Sequence, residues 1–218
     1  MRALGHSGTM WTPQGSLAIG DDVEIDDAKA LIRAEIRAHR KSRSSKLALD
    51  AGKAIAAHVT ELLDGVDVVA AFASQPSEPD MTPILSALHE AGCEIRLPQL
   101  GPGLTRAWAR YTPGDALTEQ APGRPPAPLG PSLPEESLAE ADLVLAPALA
   151  VDTRGNRLGQ GGGWYDRALQ HKRPTTPVYA VIFADEFTEA ELPTADHDQR
   201  IDGVIPPDAF VHLGAADH

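Results

Sequence analysis

The sequence predicts one three-layer α/β domain, a mostly parallel twisted sheet with helices on both faces. Three observations predict it. Short β-branched or aromatic runs alternate with amphipathic segments from about Asp26 to Pro206, the pattern of strands joined by helical crossovers. The 218 residues, 42% of them hydrophobic, suit one sizeable core better than two. A run ending at Val151 feeds a glycine-dense turn and then a helix, the order in which α/β folds build ligand crevices.

The elements follow from the chain. Residues 1–24 are rich in Gly, Ser, Thr and Pro without periodicity, and are expected to form a disordered extension. The domain is expected over 25–211, with 212–218 as a tail. A helix begins at about Asp26, with Asp26 or Asp27 as N-cap and Ala28, Leu31, Ile32, Ile36 and Ala38 on its apolar side. Lys29, Arg33, Arg37 and Arg40 follow at spacings of four, four and three, so these cations share one helical face. A second helix covers 44–63, where Leu47, Ile55, Val59 and Leu62 recur at helical spacing. Residues 66–73 read as a buried strand, 82–91 as a helix with Pro83 in its first turn, and 94–97 as a strand stopped by Pro98. Residues 106–111 alternate as a half-exposed strand does. The proline-rich segment 122–134 reads as a surface loop or polyproline connection. Then come a strand over 143–151 interrupted at Pro147, a helix over 163–170, a strand over 177–183, and a loop with a short strand over 196–206.

Charge narrows the function. Nineteen Lys and Arg against 31 Asp and Glu give a net charge of −12. Such a surface repels phosphate backbones and anionic lipids, which argues against nucleic-acid and membrane partners. A local cationic pocket for a small anion remains possible. Cys93 is the one cysteine, so no intrachain disulfide can form, and its apolar context reads as a small buried hydrophobe. No apolar run approaches the roughly 20 residues of a membrane span, and no signal-peptide pattern is present. The expectation is a cytoplasmic protein.

The chemistry concentrates between Gly155 and Asp166. Glycines 159, 161, 162 and 163 remove side chains that would hold a ligand off the backbone, and they permit positive φ, so N–H groups can converge on an anion. The following helix aims its positive end at the same place. Arg157 adds a planar cation for phosphate, and Asp166 a carboxylate that can hold Mg²⁺. No Gly-Lys-Ser/Thr closes a P-loop. The dinucleotide fingerprint fails because Trp164 stands where its third glycine is required. A tight strand-to-helix turn accounts for one or two glycines, but not for four within five residues flanked by Arg157 and Asp166. Anion binding is the better reading.

The run Arg157-Leu158-Gly159-Gln160-Gly161-Gly162-Gly163-Trp164-Tyr165-Asp166-Arg167, preceded by Val151-Asp152 and Gly155-Asn156, resembles the signature of the 5-formyltetrahydrofolate cyclo-ligase family. Lys29 to Arg33 resembles that family's N-terminal basic helix. Phe72 to Asp80 resembles its substrate-binding strand end, Leu97-Pro98 the next strand, and His197 to Asp202 its C-terminal acidic element. The resemblance covers about Asp26 to Pro206. It implies ATP-dependent cyclisation of 5-formyltetrahydrofolate to 5,10-methenyltetrahydrofolate by a monomer, with Mg²⁺ as cofactor and ATP and a reduced folate as small-molecule substrates. It implies Lys29, Arg33 and Arg157 to Tyr165 as ATP contacts, among them Leu158. It further implies Ala73, Glu78 and Gln160 to Trp164 as folate contacts, Asp166 and Asp198 as metal ligands, and Arg157, Lys29 and Asp166 as the catalytic groups. The family often carries an aromatic or basic residue where this chain has Gln160.

Plainer readings stand beside these. The cationic face could be a solvated one, and Arg37 and Arg40 stay undecided. Glu78 could be an ordinary exposed carboxylate, and Asp152 a brace for the turn. Trp164 and Tyr165 could be packing residues, or one could stack on a flat heterocycle. None of the histidines is assigned a role. The functional alternatives are a relative that binds nucleotide or folate without turnover, and a kinase-like or CoA-handling enzyme using the same turn for another anion.

Overall fold

The computed structural model describes residues 24–100, 105–120 and 125–214. Of the expected extension over 1–24, only Glu24 lies among them, as the N-cap of α1 (Ile25–Lys41). Its side chain makes no cap bond. Asp26 and Asp27, expected as caps, sit instead in the first turn, where negative charge favours the helix dipole. The packed stripe of α1 is Ala28, Lys29, Ile32, Ile36 and Arg40. Leu31 and Ala38, expected on it, are exposed. Two cations thus lie on the packed face, each paired with a carboxylate. α2 (Ser45–Thr60) is capped by Ser44, whose hydroxyl accepts from Leu47 N at 3.2 Å; Leu47 itself is exposed, off the buried stripe of Ile55 and Val59. α3 (Thr82–Glu90) buries Ile84, Leu85 and Leu88, each contributing about 1.5–3 kcal/mol.

In chain order the strands are β1 (Val68–Ala70), β2 (Glu94–Leu100), β3 (Arg106–Tyr111), β4 (Leu117–Glu119), β5 (Pro126–Pro128), β6 (Leu133–Pro134), β7 (Leu143–Pro147), β8 (Ala150–Asp152), β9 (Arg157–Leu158), β10 (Val178–Val181), β11 (Phe187–Thr188), β12 (Gly203–Ile205) and β13 (Val211–His212). One eight-stranded sheet runs β13-β12-β10-β7-β1-β2-β3-β6. Its centre, β12, β10, β7, β1 and β2, is parallel, as expected, and its flanks are antiparallel. α2 and α3 pack on each other. The 3₁₀ turn Glu135–Glu140 packs with α4 (Trp164–Ala168) and the 3₁₀ turn Leu169–His171. Both groups share one core with the strands.

Several expectations are corrected. β2 does not stop at Pro98 but continues to Leu100, with Pro98 opposite Trp108 of β3. β1 has already ended opposite Arg96, so at Pro98 the strand is paired on one flank only, where a missing N–H is tolerated. The proline-rich segment is more than a loop. β5 pairs with β4, and β6 forms the sheet's edge against β3, positions that again suit proline. The run over 143–151 divides at Pro147 into β7 and β8, which join different sheets. The helix expected over 163–170 is five residues long and passes into 3₁₀ geometry, so its dipole is small and the amides of the turn matter more. At the other end, the expected boundary at 211 falls inside β13, and Leu213 behind it is buried. Cys93 is buried, its thiol donating to Val66 O at 3.3 Å. Among the described residues no helix is long and apolar enough to cross a membrane.

A second, three-stranded sheet, β11-β8-β9, carries the glycine turn. The Asp152 carboxylate, 1% exposed, closes the β8–β9 connection. Its Oδ1 accepts from Arg154 N and Asn156 N at 2.9 Å each, and its Oδ2 from Asn156 Nδ2 at 2.7 Å and Leu192 N at 3.0 Å. Asp152 is therefore a brace. Gly155 inside the turn has φ +82°, and a Cβ there would stand 2.6 Å from Ile201 O. Gly155→Ala is expected to cost at least about 1–2 kcal/mol from the left-handed backbone alone, read as a lower urea midpoint at unchanged slope. An unchanged midpoint would contradict this account of the turn.

Candidate active site

α1 lies on the small sheet. Ile32 and Ile36 pack with Leu149, Ala150, Leu158 and Leu192, and this contact sets Lys29, Arg33 and Arg37 beside the glycine turn. A cavity of about 760 Å³ opens there. Besides those three cations, its walls include Asp26, the segment from Arg157 to Asp166, His197 and Asp198, residues 120 and 125–127, and the residues at the carboxyl ends of three neighbouring parallel strands. Phe72, Ala73, Gln75 and Glu78 follow β1, Pro98 to Leu100 end β2, and Pro147 ends β7. Open α/β sheets place ligands at such carboxyl ends. The cavity gathers every residue that the sequence nominated: Lys29, Arg33, Ala73, Glu78, Arg157 to Asp166, and Asp198.

The glycines answer to their neighbours. A Cβ at Gly159 would stand 2.7 Å from Arg157 Nη1, and that guanidinium cannot yield easily because Pro147 O and Asp166 hold it. Gly161, at φ +99°, lies against the Arg33 guanidinium, and Gly163, at φ +59°, against that of Arg167. Gly162 faces open space, so its backbone is approachable. Arg33 Nε donates to Gly159 O at 3.0 Å, and Arg167 Nη2 to Gly162 O at 2.8 Å. The turn is thus clasped by arginines through its carbonyls, which leaves its N–H groups as the property an anion can use.

Two ion pairs occupy the cationic end. Arg157 Nη2 donates to Asp166 Oδ1 at 2.6 Å, with only 2% of the arginine side chain exposed. Its Nε is buried without a hydrogen-bond partner, a donor that ordinarily demands one. Lys29 Nζ donates to Asp198 Oδ2 at 2.5 Å. Burial raises the Asp198 carboxyl, but the bonds from Lys29 and Ala195 N outweigh it and hold the group below the usual carboxylate value. Burial, then the neighbouring Arg37, lower the Arg33 guanidinium from its ordinary value, and the nearby carboxylates do not offset them. This corner holds more positive charge than it neutralises, although the chain as a whole is acidic.

Glu78 lies elsewhere in the cavity and is 5% exposed. Its Oε2 accepts from Gln75 N at 2.8 Å and its Oε1 from Gln160 Nε2 at 3.1 Å. It is therefore a buried, anchored acceptor, not a solvated loop carboxylate. Tyr165 is a packing residue, buried, with its hydroxyl donating to Ala71 O at 3.3 Å. Trp164 meets Trp108 edge-to-face at 5.0 Å between ring centroids and still lines the cavity. Arg40, left undecided by the sequence, is structural: it donates to both oxygens of Glu186 and to Ala148 O, deep in the packed face of α1. Sequence reasoning missed His197 and the wall made by Pro98, Leu100, Gln120, Pro126 and Ala127. Proline, read as punctuation, concealed that wall.

Comparison with known proteins finds relatives along nearly the whole chain. The profile of the 5-formyltetrahydrofolate cyclo-ligase family matches residues 25–207. A 5-formyltetrahydrofolate cyclo-ligase of Mycolicibacterium smegmatis is 34% identical over 185 residues, covering 83% of this chain and 94% of that one. One of Escherichia coli is 33% identical over 146 residues, covering 64% and 77%. Among solved structures, the 5,10-methenyltetrahydrofolate synthetase of Aquifex aeolicus shares the fold with a TM-score of 0.72 at 23% identity, covering 87% of this chain and 95% of that one. A 5,10-methenyltetrahydrofolate synthetase from Mycoplasma pneumoniae does so at 0.64 and 15% identity, covering 83% and 99%.

The environment of Glu78 sets a stability test. Burial pushes its carboxyl above the ordinary value; the Gln75 N–H, the Arg40 charge and the Gln160 amide oppose this without overcoming it. As pH climbs through the unfolded-state range, near about 4.3 for Glu, the unfolded chain releases its proton first, so ionising Glu78 lowers stability. Glu78→Gln is therefore expected to melt above wild type at pH 7, with the gain vanishing below about pH 4. A variant that melts lower at pH 7 would show that the charge stabilises the fold.

Proposed function

The chain belongs to the 5-formyltetrahydrofolate cyclo-ligase family, and from that premise we propose that it converts 5-formyltetrahydrofolate to 5,10-methenyltetrahydrofolate at the expense of ATP, releasing ADP and phosphate. One observation carries this reading. A single cavity joins a cationic glycine turn, suited to a triphosphate, to a buried carboxylate acceptor, suited to a flat ring bearing N–H donors. Two substrates of those chemistries can meet inside it.

The formyl group on N5 is a poor electrophile, because the nitrogen donates into its carbonyl. Transfer of the γ-phosphoryl group to the formyl oxygen gives an iminium phosphate and ADP. The neighbouring N10 attacks the iminium carbon and loses its proton. Phosphate then departs with the former formyl oxygen, leaving the methenyl bridge. Little covalent chemistry falls to the protein; its tasks are positioning and charge stabilisation. Lys29, Arg33 and Arg157 meet the phosphates, with the amides of Gly161 to Gly163 behind them. Glu78, with the backbone at Ala73, orients the folate ring, and Gln160 to Trp164 face both substrates.

Asp166 and Asp198 are the residues that would hold Mg²⁺. Their chemistry fits: two hard carboxylates line the cavity beside the phosphate cations, and magnesium sites often use one or two carboxylates plus substrate phosphates. Among the described residues no cluster of three or more His, Cys, Asp or Glu that could hold a metal is found, so the remaining ligands here would be substrate phosphates and water. When bound, Mg²⁺ supplies positive charge to the triphosphate. Lys29 and Arg157, now paired with those carboxylates, would then be available to the phosphates.

The test follows methenyl product by absorbance with ATP and magnesium. Arg157→Ala is expected to lose about 10²–10³ in turnover, the usual cost of removing a charge-stabilising donor, and Asp166→Ala, which removes a carboxylate that would hold Mg²⁺, to lose most of it, while circular dichroism stays that of wild type. Near-wild-type turnover in either variant would defeat the assignment. No product from a wild type that binds ATP would select a binding function instead.

A further inference from the structure

Arg37 belongs to none of the groups assigned above. It is exposed on α1 and reaches the glycine turn. Its Nη2 donates to Gln160 O at 2.5 Å and to Gln160 Oε1 at 3.1 Å, and its Nε to the same Oε1 at 3.2 Å. This grip fixes which way the Gln160 amide faces. With Oε1 taken by the guanidinium, the amide nitrogen turns to Glu78 Oε1 at 3.1 Å. The flipped amide would set N–H groups against the guanidinium and an oxygen against the carboxylate, two contacts of like polarity. Arg37 thus decides that Gln160 is a donor to Glu78.

The consequence reaches the ligand. A carboxylate offers about four lone-pair positions. In Glu78 one on each oxygen is occupied from the chain itself, by Gln75 N on one and by Gln160 Nε2 on the other. One remains on each, a pair of acceptors for two adjacent N–H donors such as the 2-amino-4-oxo edge of a reduced pterin presents. The carboxylate can serve that edge only while it is held from both sides, and one of the two holds depends on Arg37.

We propose that Arg37 is a positioning residue for folate, acting through the Gln160 amide on Glu78 and touching neither substrate. The proposal rests on the folate reading of the cavity given above. It separates Arg37 from Lys29 and Arg33, which stand on the same helix but face the phosphates.

Equilibrium binding tests it, using the full chain and two probes measured separately by calorimetry: 5-formyltetrahydrofolate, and a non-hydrolysable ATP analogue with magnesium. Arg37→Ala and Gln160→Ala are each expected to raise the folate Kd about tenfold, the worth of a charge-assisted hydrogen bond. The double variant is expected to be no worse than either single one, because both cut the same chain of contacts. Arg37→Lys, a point charge without the fork, is expected to restore little of the loss. Arg37→Ala is expected to raise the Kd of the ATP analogue less than that of folate, because its hold on the turn is through Gln160 O alone. Weakened nucleotide binding with intact folate binding would make Arg37 a phosphate ligand and overturn the proposal. Additive losses in the double variant, or tighter folate binding in either single one, would overturn it too. If wild type binds folate and Arg37→Ala binds it equally well, this inference alone falls. A wild type that binds no folate overturns this inference and the folate reading together.

Discussion

The site depends on how one buried carboxylate closes one turn. Asp152 takes hydrogen bonds from Arg154 N, Asn156 N, Asn156 Nδ2 and Leu192 N, so it ties β8, β9 and the segment near residue 192 into one unit. Gly155 then lies against Ile201, with Ile201 N donating to Gly155 O at 3.0 Å. Two residues later Arg157 leaves the turn already aimed, its guanidinium held by Pro147 O and Asp166. A buried carboxylate this fully bonded forms a rigid corner. The glycines that follow can stay bare because the corner holds the chain, and no side chains of their own are needed to do so.

Electrostatics arranges the rest. The chain carries a net charge of −12, yet Lys29, Arg33, Arg37 and Arg157 converge on one cavity. Two of them are matched internally, Lys29 by Asp198 and Arg157 by Asp166. Buried charges of this kind cost too much to leave unpaired. The same pairing keeps two carboxylates beside the cations, so phosphate and metal could enter as an exchange of partners. Arg40 shows the contrasting case. It shares the helix and the basic character, but Glu186 and Ala148 enclose it, and its role is to pack α1 against the fold.

Much of this was legible in the residues. The parallel centre of the sheet followed from strand and helix periods, and the glycine turn from its own composition. Every nominated site residue lines the cavity: Arg157 to Asp166 came from a motif whose chemistry needs its neighbours nearby, and Lys29, Arg33, Ala73, Glu78 and Asp198 from the family resemblance. What was not legible depended on tertiary context. Leu31 lies off the packed face while Lys29 and Arg40 lie on it, since an ion pair formed across the fold cannot be read from a helical wheel. β4, β5, β6 and β11 are two or three residues each, too short for any period to register. Pro98 continues β2 because one flank is unpaired there, a fact about a neighbouring strand. The link from Arg37 through Gln160 to Glu78 joins residues 82 and 123 positions apart, and no local pattern announces it.

A crystal structure with magnesium and a non-hydrolysable ATP analogue tests the central claim most directly. The account predicts the phosphates against the backbone N–H groups of Gly161 to Gly163, with Arg157 turned from Asp166 toward them. Phosphates bound elsewhere, with the turn still clasped and the Arg157–Asp166 pair intact, would contradict it.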